Sequence, residues 1–366
     1  MLGHKRIPSR EGGIEIVVEE LSTRMAALGH RVTCLNRRGS HVSGEQFNTK
    51  NTSLYKGVHV RTVWALDKRG LAAMTASITG AIAAAFGKFD VVHFHAEGPC
   101  AMLWLPKLFK KRCIATIHGL DHRRAKWGRF ARTYILLGEK CAARFADEII
   151  VLSHGVQQYF KETYGRDTVL IENGVSRGIG RAADQISQNF GLAKDSYILF
   201  LGRLVPEKGP HYLIDAFKMV KTDKKLVIAG GSSDTQEFAQ QLKAQAADDD
   251  RILFTGFVQG QILEELYSNA YLYVLPSDLE GMPLSLLEAM SYGCCCVTSD
   301  IEECTAVTQS HGVSFEKGNV SLLAQTLQML CDDPQKVESV KAGAADFITD
   351  RYNWDRVTKK TLELYQ

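Results

Sequence analysis

The chain has no C-x-x-C pair among its 9 cysteines, no short-period repeat and no apolar stretch in its first six residues. Scattered thiols fit a reducing cytosol. Cys294-Cys295-Cys296, set in an apolar strand-like run, read as small buried hydrophobes. Met1 to Arg6 holds two cations and no hydrophobic core, so no signal peptide is expected and the location is read as cytoplasmic. Long hydrophobic runs are also missing. The stretch 70–87 lacks charge, but it is mostly Ala, Gly, Ser and Thr. That makes a poor membrane span and a better tightly packed core helix.

What remains is a soluble-type composition, 45% hydrophobic and 23% charged, over 366 residues. That length allows two domains of ordinary size. The net charge of +3 conceals a balance of +12 over residues 1–190 and −9 over 191–366. The basic half suits an anionic surface or ligand, with ordinary solvated surface as the alternative.

Short β-branched runs alternate with helical patterns along the whole chain. Predicted strands cover 31–35, 59–63, 89–95, 113–118 and 148–152, then 197–201, 225–229, 252–255, 271–275 and 295–298. Helical patterns cover 14–28, 130–145, 210–220, 236–247 and 283–292. Such alternation argues for βαβ units and parallel sheets covered on both faces. The expected fold class is α/β, with two doubly wound Rossmann-like domains facing across a cleft and a polar linker at 176–189. The domains are placed at 1–185 and 190–350. Ligands of these sheets bind beyond the carboxyl ends of the strands.

Several residue groups stand at those ends. Gly202-Arg203 ends a predicted strand and Lys208-Gly209-Pro210 opens a helix, so Arg203 and Lys208 share one strand-to-helix loop. A guanidinium can fork two phosphate oxygens while an ammonium supplies a compact point charge. Charge-assisted hydrogen bonds of this kind contribute roughly 1.5–3 kcal/mol each. Pro283 marks a second helix start, which leaves Gly281 and Met282 at an anion-accepting helix N-terminus. Glu280 and Glu288 flank it, and carboxylates accept hydrogen bonds from hydroxyl pairs. Together these features suit a diphosphate with polar groups at both ends, as in a nucleotide-sugar. The plain alternatives are a solvated loop with two cations and a surface-paired Glu288.

In the first half, Gly12-Gly13 precede a helix and permit close backbone approach. His118 ends an apolar strand and can contact a hydroxyl or shuttle a proton, although a lone histidine can equally be structural. His93 and His95 are expected on opposite sides of their strand, which disfavours joint metal ligation. The run Asp248-Asp249-Asp250 is read as a solvated loop. No Asp-x-Asp follows a strand in the first half, so no metal-chelated diphosphate is expected.

These residues resemble family 4 retaining glycosyltransferases of the GT-B fold over nearly the whole chain. The motifs are Gly12-Gly13, Thr116-Ile117-His118-Gly119, Glu172-Asn173-Gly174-Val175, Gly202-Arg203 with Glu207-Lys208-Gly209, and the Glu280/Glu288 pair. The segments 3–15, 118–121 and 124–128 are similar to a bacterial subgroup containing capsule and exopolysaccharide rhamnosyltransferases. The resemblance implies that Arg203 and Lys208 stabilise the departing diphosphate. It implies that Glu280 touches the transferred sugar, Glu288 the ribose, His118 the sugar, and Gly13 the phosphates or acceptor. The donor set extends to Gly12, Gly202, Gly281, Met282 and Leu284, with the base held near Val258.

By the same resemblance the anomeric configuration is retained, through front-face attack in which the leaving phosphate takes the acceptor's proton. No cofactor or metal is required, and a C-terminal helix near 352–366 packs back on the first domain. The partners are a nucleotide-diphosphate sugar, a glycan or lipid-linked acceptor and an anionic membrane surface, with no nucleic acid. Arg123, Arg124, Lys126, Trp127 and Arg129 are assigned to the acceptor or membrane. Two features depart from the pattern. Glu11 stands where the subgroup often has an aromatic, and only Met1 and Leu2 precede Gly3 where a strand of about five residues is expected. An earlier natural start or a shortened first strand would account for that. A nucleotide-sugar epimerase and a non-catalytic sugar-nucleotide binder remain as other readings.

Overall fold

A computed structural model describes residues 1–41, 43–48, 52–66, 68, 70–124, 127–231 and 236–366. Lys126 lies outside the described residues. The chain divides into two compact units, Met1–Asn173 with Trp354–Gln366, and Gly174–Asn353. The division falls ahead of the stretch 176–189. That stretch lies in unit 2, where it carries the helix Gln185–Phe190 and an Arg181–Glu264 ion pair of 2.8 Å.

Unit 1 contains seven named strands among its described residues. They are β1 (Thr33–Arg37), β2 (Leu54–Tyr55), β3 (Val58–Val63), β4 (Val91–His95), β5 (Arg112–Ile117), β6 (Glu148–Val151) and β7 (Val169–Leu170). They form the sheets β1-β3-β2 and β4-β5-β6-β7. All pairs are parallel except β2 with β3. The two sheets meet at the chain start. The Leu35 N–H donates to Met1 O at 2.9 Å, while Leu2 donates to His93 O and accepts from the His95 N–H, at 3.0 and 2.9 Å. The expected first strand is therefore a single bridge, Leu2 to Phe94.

The helix Leu71–Phe86 explains the uncharged stretch. Its small residues Ser77, Gly80, Ala81, Ala84 and Ala85 are buried, and Gly80 faces Leu2 and Leu35. Its other side carries the exposed Ile82 and Phe86, so only one face is core. Among the described residues no helix is long and apolar enough to cross a membrane. The final helix, Trp354–Glu363, belongs to unit 1. The Arg24 Nε–H donates to Asp355 at 2.8 Å, the Arg112 Nε–H to Leu364 O at 2.8 Å, and Tyr365 OH lies 2.7 Å from His93 Nδ1.

Unit 2 is one six-stranded sheet built from β8 (Tyr197–Leu201), β9 (Lys225–Ala229), β10 (Ile252–Gly256), β11 (Leu272–Leu275), β12 (Cys295–Ser299) and β13 (Gly312–Phe315). Every pair is parallel, in the order β10-β9-β8-β11-β12-β13. Strands buried on both faces need continuous apolar runs, which is why Tyr-Ile-Leu-Phe-Leu and Lys-Leu-Val-Ile-Ala serve here. Phe200, Leu213, Ile214, Phe217, Leu226, Ile228, Val274 and Val297 share one core. Truncating such a side chain as Phe217 to Ala costs about 3–5 kcal/mol. Cys294, Cys295 and Cys296 are buried, and all nine cysteines are free. Chain order reverses between β8 and β11, and that switch point opens a crevice beyond the strand ends.

Candidate active site

The switch point of unit 2 gathers most of the second-half residues, with Val258 left beyond the edge strand β10. Gly202 and Arg203 follow β8 directly, and Glu207-Lys208 close a short 3-10 turn, Pro206–Lys208. Gly209 then adopts φ +68° and caps the helix Pro210–Lys218. A side chain could not fit there, because a Cβ on Gly209 would lie 2.0 Å from Pro276 O. This close approach brings the loop after β8 against the loop after β11. Lys208 Nζ donates to Glu280 Oε1 at 2.5 Å, and Ser277 Oγ donates to the same oxygen at 2.7 Å. With side chains 14% and 7% exposed, the pair is shielded from water and its attraction is little screened.

Pro283 caps the helix Leu284–Ser291, and Gly281, Met282 and Leu284 are buried around its start. The amide N–H groups of a helix's first turn have no intrahelical partners, which makes such an end an anion site. Glu288, one turn on, accepts from Tyr267 OH at 3.1 Å. Burial first, and the Glu288 charge next, push the Tyr267 hydroxyl well above its usual range, so it stays a donor. Tyr267 also stacks on Tyr292 at 5.4 Å. The plain surface reading of Glu288 is thus replaced by a half-buried carboxylate that accepts from a buried tyrosine. Val258 lies two residues beyond β10 and is half-buried.

Sequence reasoning missed Gly230, which has φ +149° and would place a Cβ 1.8 Å from Gly202 O. The Leu204 N–H donates to Gly231 O at 3.1 Å, so this glycine pair fixes the Arg203 loop from the side. The signal was present as Gly-Gly immediately after a predicted strand. The Asp248–Asp250 run is partly engaged, with Asp248 paired to Lys218 and Asp249 to Arg251.

Unit 1 collects a different set. Gly12 is extended, at φ −169°, and caps the helix Gly13–Ala27. That helix start is already approached by Glu15, whose Oε1 accepts from the Lys5 N–H at 2.8 Å. Glu11, the departure noted above, is buried beside Arg6 at 3.3 Å and His41 at 3.9 Å. An acidic residue is tolerated there because a cation accompanies it.

His118 follows β5, and its Nε2 lies 3.2 Å from His95 Nδ1. His95 stacks on His93 with ring centroids 4.2 Å apart, so the two share one face of β4. This corrects the expectation of opposite faces: side chains two apart on a strand point the same way. His93 is committed to Tyr365 and Thr116, both at 2.7 Å, which makes it structural. Burial lowers the His118 pKa to about 4, Asp121 opposing and Arg124 reinforcing. His93 and His95 are lowered well below the ordinary value, again chiefly by burial. Burial therefore favours the neutral form of His118.

Of the basic segment, Arg124 pairs with Asp121 at 2.9 Å and Arg123 lies over the Tyr159 ring at 5.2 Å. Trp127 is half-buried, whereas Arg129, Phe130 and Arg132 are exposed at the start of the helix Arg129–Phe145.

Each half of the chain also matches a known family. Residues 11–177 match the model described as Glycosyltransferase Family 4, and residues 183–347 that of Glycosyl transferases group 1. Together the two matches support a family 4 glycosyltransferase. An uncharacterized glycosyltransferase of Methanocaldococcus jannaschii is 31% identical over 176 residues, 47% of this chain and 45% of its own length. The chain thus spans about half of that relative. D-inositol 3-phosphate glycosyltransferase of Thermomonospora curvata is 26% identical over 97% of this chain and 90% of its own. Among solved structures, sucrose-phosphate synthase of Thermosynechococcus elongatus superposes with a TM-score of 0.81 at 22% identity, covering 97% of this chain and 93% of its own. HepE of Anabaena in complex with UDP-glucose gives 0.81 at 18%, covering 98% and 97%. The chain has the GT-B fold.

Proposed function

We propose that this protein is a retaining glycosyltransferase that moves a sugar from a nucleotide-diphosphate sugar to a glycan or lipid-linked acceptor in bacterial surface polysaccharide synthesis. The observation that carries the reading is the shielded Lys208–Glu280 pair beside the helix start at Leu284, at the switch point of unit 2. A diphosphate approaching this end draws the Lys208 ammonium and the Arg203 guanidinium to its oxygens. Glu280, relieved of the lysine, is then an acceptor for the hydroxyls of the transferred sugar. Glu288, steadied by Tyr267, takes the ribose hydroxyls. The fold shared with a UDP-glucose complex supports this class of donor.

As the glycosidic bond lengthens, charge builds on the leaving diphosphate, to which both cations have been drawn. Stabilisation made mainly in the transition state raises turnover. The leaving phosphate accepts the acceptor's proton, which keeps attack on the departing face and retains configuration. Two cations and a helix end suffice for the diphosphate, and no metal is part of this step. Within unit 1, Gly12-Gly13 and neutral His118 are its own candidate binding groups, and Arg129 with Phe130 is its attachment to an anionic surface.

The test is release of nucleotide from a panel of radiolabelled nucleotide-sugars, with and without polysaccharide and lipid-linked acceptors. Acceptor-dependent release that keeps the anomeric configuration, at a rate unaffected by added Mg²⁺ or Mn²⁺, is expected. Interconversion of the sugar without transfer would make the protein an epimerase, and no turnover of any donor a binding protein.

A further inference from the structure

A second polar centre lies in unit 1, and the transfer chemistry makes no use of it. Glu97 begins the short helix that follows β4, His122 lies in the turn Asp121–Arg123 after β5, and Glu139 sits within the helix Arg129–Phe145. Three separate segments thus converge, and one ligand atom from each residue lies within 4.8 Å of the other two. Glu97 and Glu139 are 0% exposed and His122 is 8% exposed.

Each carboxylate has one oxygen pinned from outside the cluster. Glu97 Oε2 accepts from the Asp121 N–H at 2.8 Å, and Glu139 Oε1 accepts from Tyr159 OH and Tyr164 OH at 2.7 and 2.5 Å. The other two oxygens turn toward the imidazole. Glu139 Oε2 is 3.0 Å and Glu97 Oε1 is 3.8 Å from His122 Nδ1. Glu97 Oε1 is buried and has no hydrogen-bond partner with both carboxyl groups ionised, the Glu139 carboxyl being its acidic neighbour.

Two carboxylates this close, out of water, repel one another. Burial first, then Asp121 and Glu139, push the Glu97 pKa well above its usual range. A proton would relieve the repulsion, but so would a cation, and the geometry suits a cation. Ligand bonds of 2.0–2.2 Å in a tetrahedron put neighbouring donor atoms about 3.3–3.6 Å apart, between the 3.0 and 3.8 Å found here. Outer donors that orient ligating carboxylates, as Tyr159, Tyr164 and the Asp121 amide do, are the usual second layer of a metal site. An imidazole nitrogen with two carboxylates suits zinc or manganese better than magnesium or calcium.

We propose that Glu97, His122 and Glu139 bind one first-row divalent cation, Zn²⁺ or Mn²⁺. The ion ties the turn after β4 to the loop that follows His118 and to the helix Arg129–Phe145. Its role is structural and separate from the diphosphate site of unit 2, so its test does not depend on turnover.

The test uses the full chain, stripped with chelator, dialysed, and exposed separately to Zn²⁺, Mn²⁺ and Mg²⁺. After desalting, bound metal is counted by mass spectrometry, and the melting temperature is recorded on a parallel sample with the ion in excess. The expected result is one equivalent of Zn²⁺ or Mn²⁺ retained and a rise of about 5 °C at a hundredfold excess over Kd. Glu97→Gln and His122→Asn should lose both effects, while Glu280→Gln, in unit 2, keeps them. Should those variants not fold, Co²⁺ loaded into the wild type decides: visible d–d bands without thiolate charge transfer fit this N/O site. No retained metal, retention unchanged in folded variants, or a cobalt–thiolate band would overturn the proposal. In the first case the cluster is a proton-sharing carboxyl pair.

Discussion

The two units raise similar parallel sheets and crowd functional side chains beyond the strand ends, yet they treat charge in opposite ways. Unit 2 keeps its site ionic: Lys208 against Glu280, with a helix start and Arg203 close in the sequence. In unit 1 burial favours the neutral form of the histidines at and before the strand ends, His118 and His95 with His93 behind them. An ionic site suits a ligand that arrives charged and leaves more so. A neutral, stacked one suits orientation of hydroxyls. The same scaffold thus carries two kinds of recognition, and substitutions should separate them.

The sharpest break falls on unit 2. Lys208→Ala and Arg203→Ala should each lower kcat and kcat/KM on the order of 10²–10³-fold, the scale of a lost transition-state donor. Sequence alone suggests that such loop cations are dispensable for stability. The structure alters that for Lys208, because its loss leaves Glu280 shielded with Ser277 as its recorded donor. A penalty of about 1–3 kcal/mol in urea unfolding is expected for Lys208→Ala. Wild-type kinetics in either variant would remove the assignment.

Glu288→Gln should act on binding. Losing the charged acceptor for the ribose hydroxyls is expected to raise the donor KM about 10–100-fold with little change in kcat. Tyr267→Phe, which frees Glu288 on one side, should give a smaller shift in the same direction. An unchanged donor KM in Glu288→Gln would place the ribose elsewhere.

In unit 1 the expected signature is a pH effect. A histidine whose folded pKa is lowered to about 4 contributes stability that is full above its unfolded value near 6.5. That contribution is lost as pH falls from about 6.5 toward 4, because the unfolded chain binds the proton more readily. Melting temperature should therefore decline across that window, and His118→Gln should make the decline shallower. A decline identical to wild type would mean that His118 is not held neutral. The smallest effect concerns Arg129, Phe130 and Arg132. Each cation near an anionic leaflet contributes about 1 kcal/mol. Replacing the two arginines should weaken co-sedimentation with anionic vesicles severalfold, in a salt-sensitive way, and leave neutral vesicles unaffected.

The alternation of β-branched and helical runs exposed both sheets, and strand-end positions exposed Arg203, Lys208, Glu280 and His118, because those signals are local in sequence. Two features were not legible and a third, Gly230, was signalled only as a Gly-Gly after a strand, each for a three-dimensional reason. Gly230 matters only through its 1.8 Å approach to Gly202 O, a contact across neighbouring strands. The join at Met1–Leu2 depends on hydrogen bonds to residues more than thirty and ninety positions away. Glu97, His122 and Glu139 come from three segments whose spacing, 25 and 17, matches no local ligand motif. The His93–His95 pair was legible in principle, since strand period two puts both on one face.

The most direct measurement of the central claim is equilibrium binding of nucleoside diphosphates, UDP and GDP in turn, to wild type, Lys208→Ala and His118→Gln. For whichever nucleotide the wild type binds, Lys208→Ala should weaken affinity at least about tenfold, the loss of one charge-assisted contact, while His118→Gln stays within about twofold of wild type. Equal losses in both variants, or full affinity in Lys208→Ala, would contradict an ionic donor site in unit 2 distinct from a neutral one in unit 1.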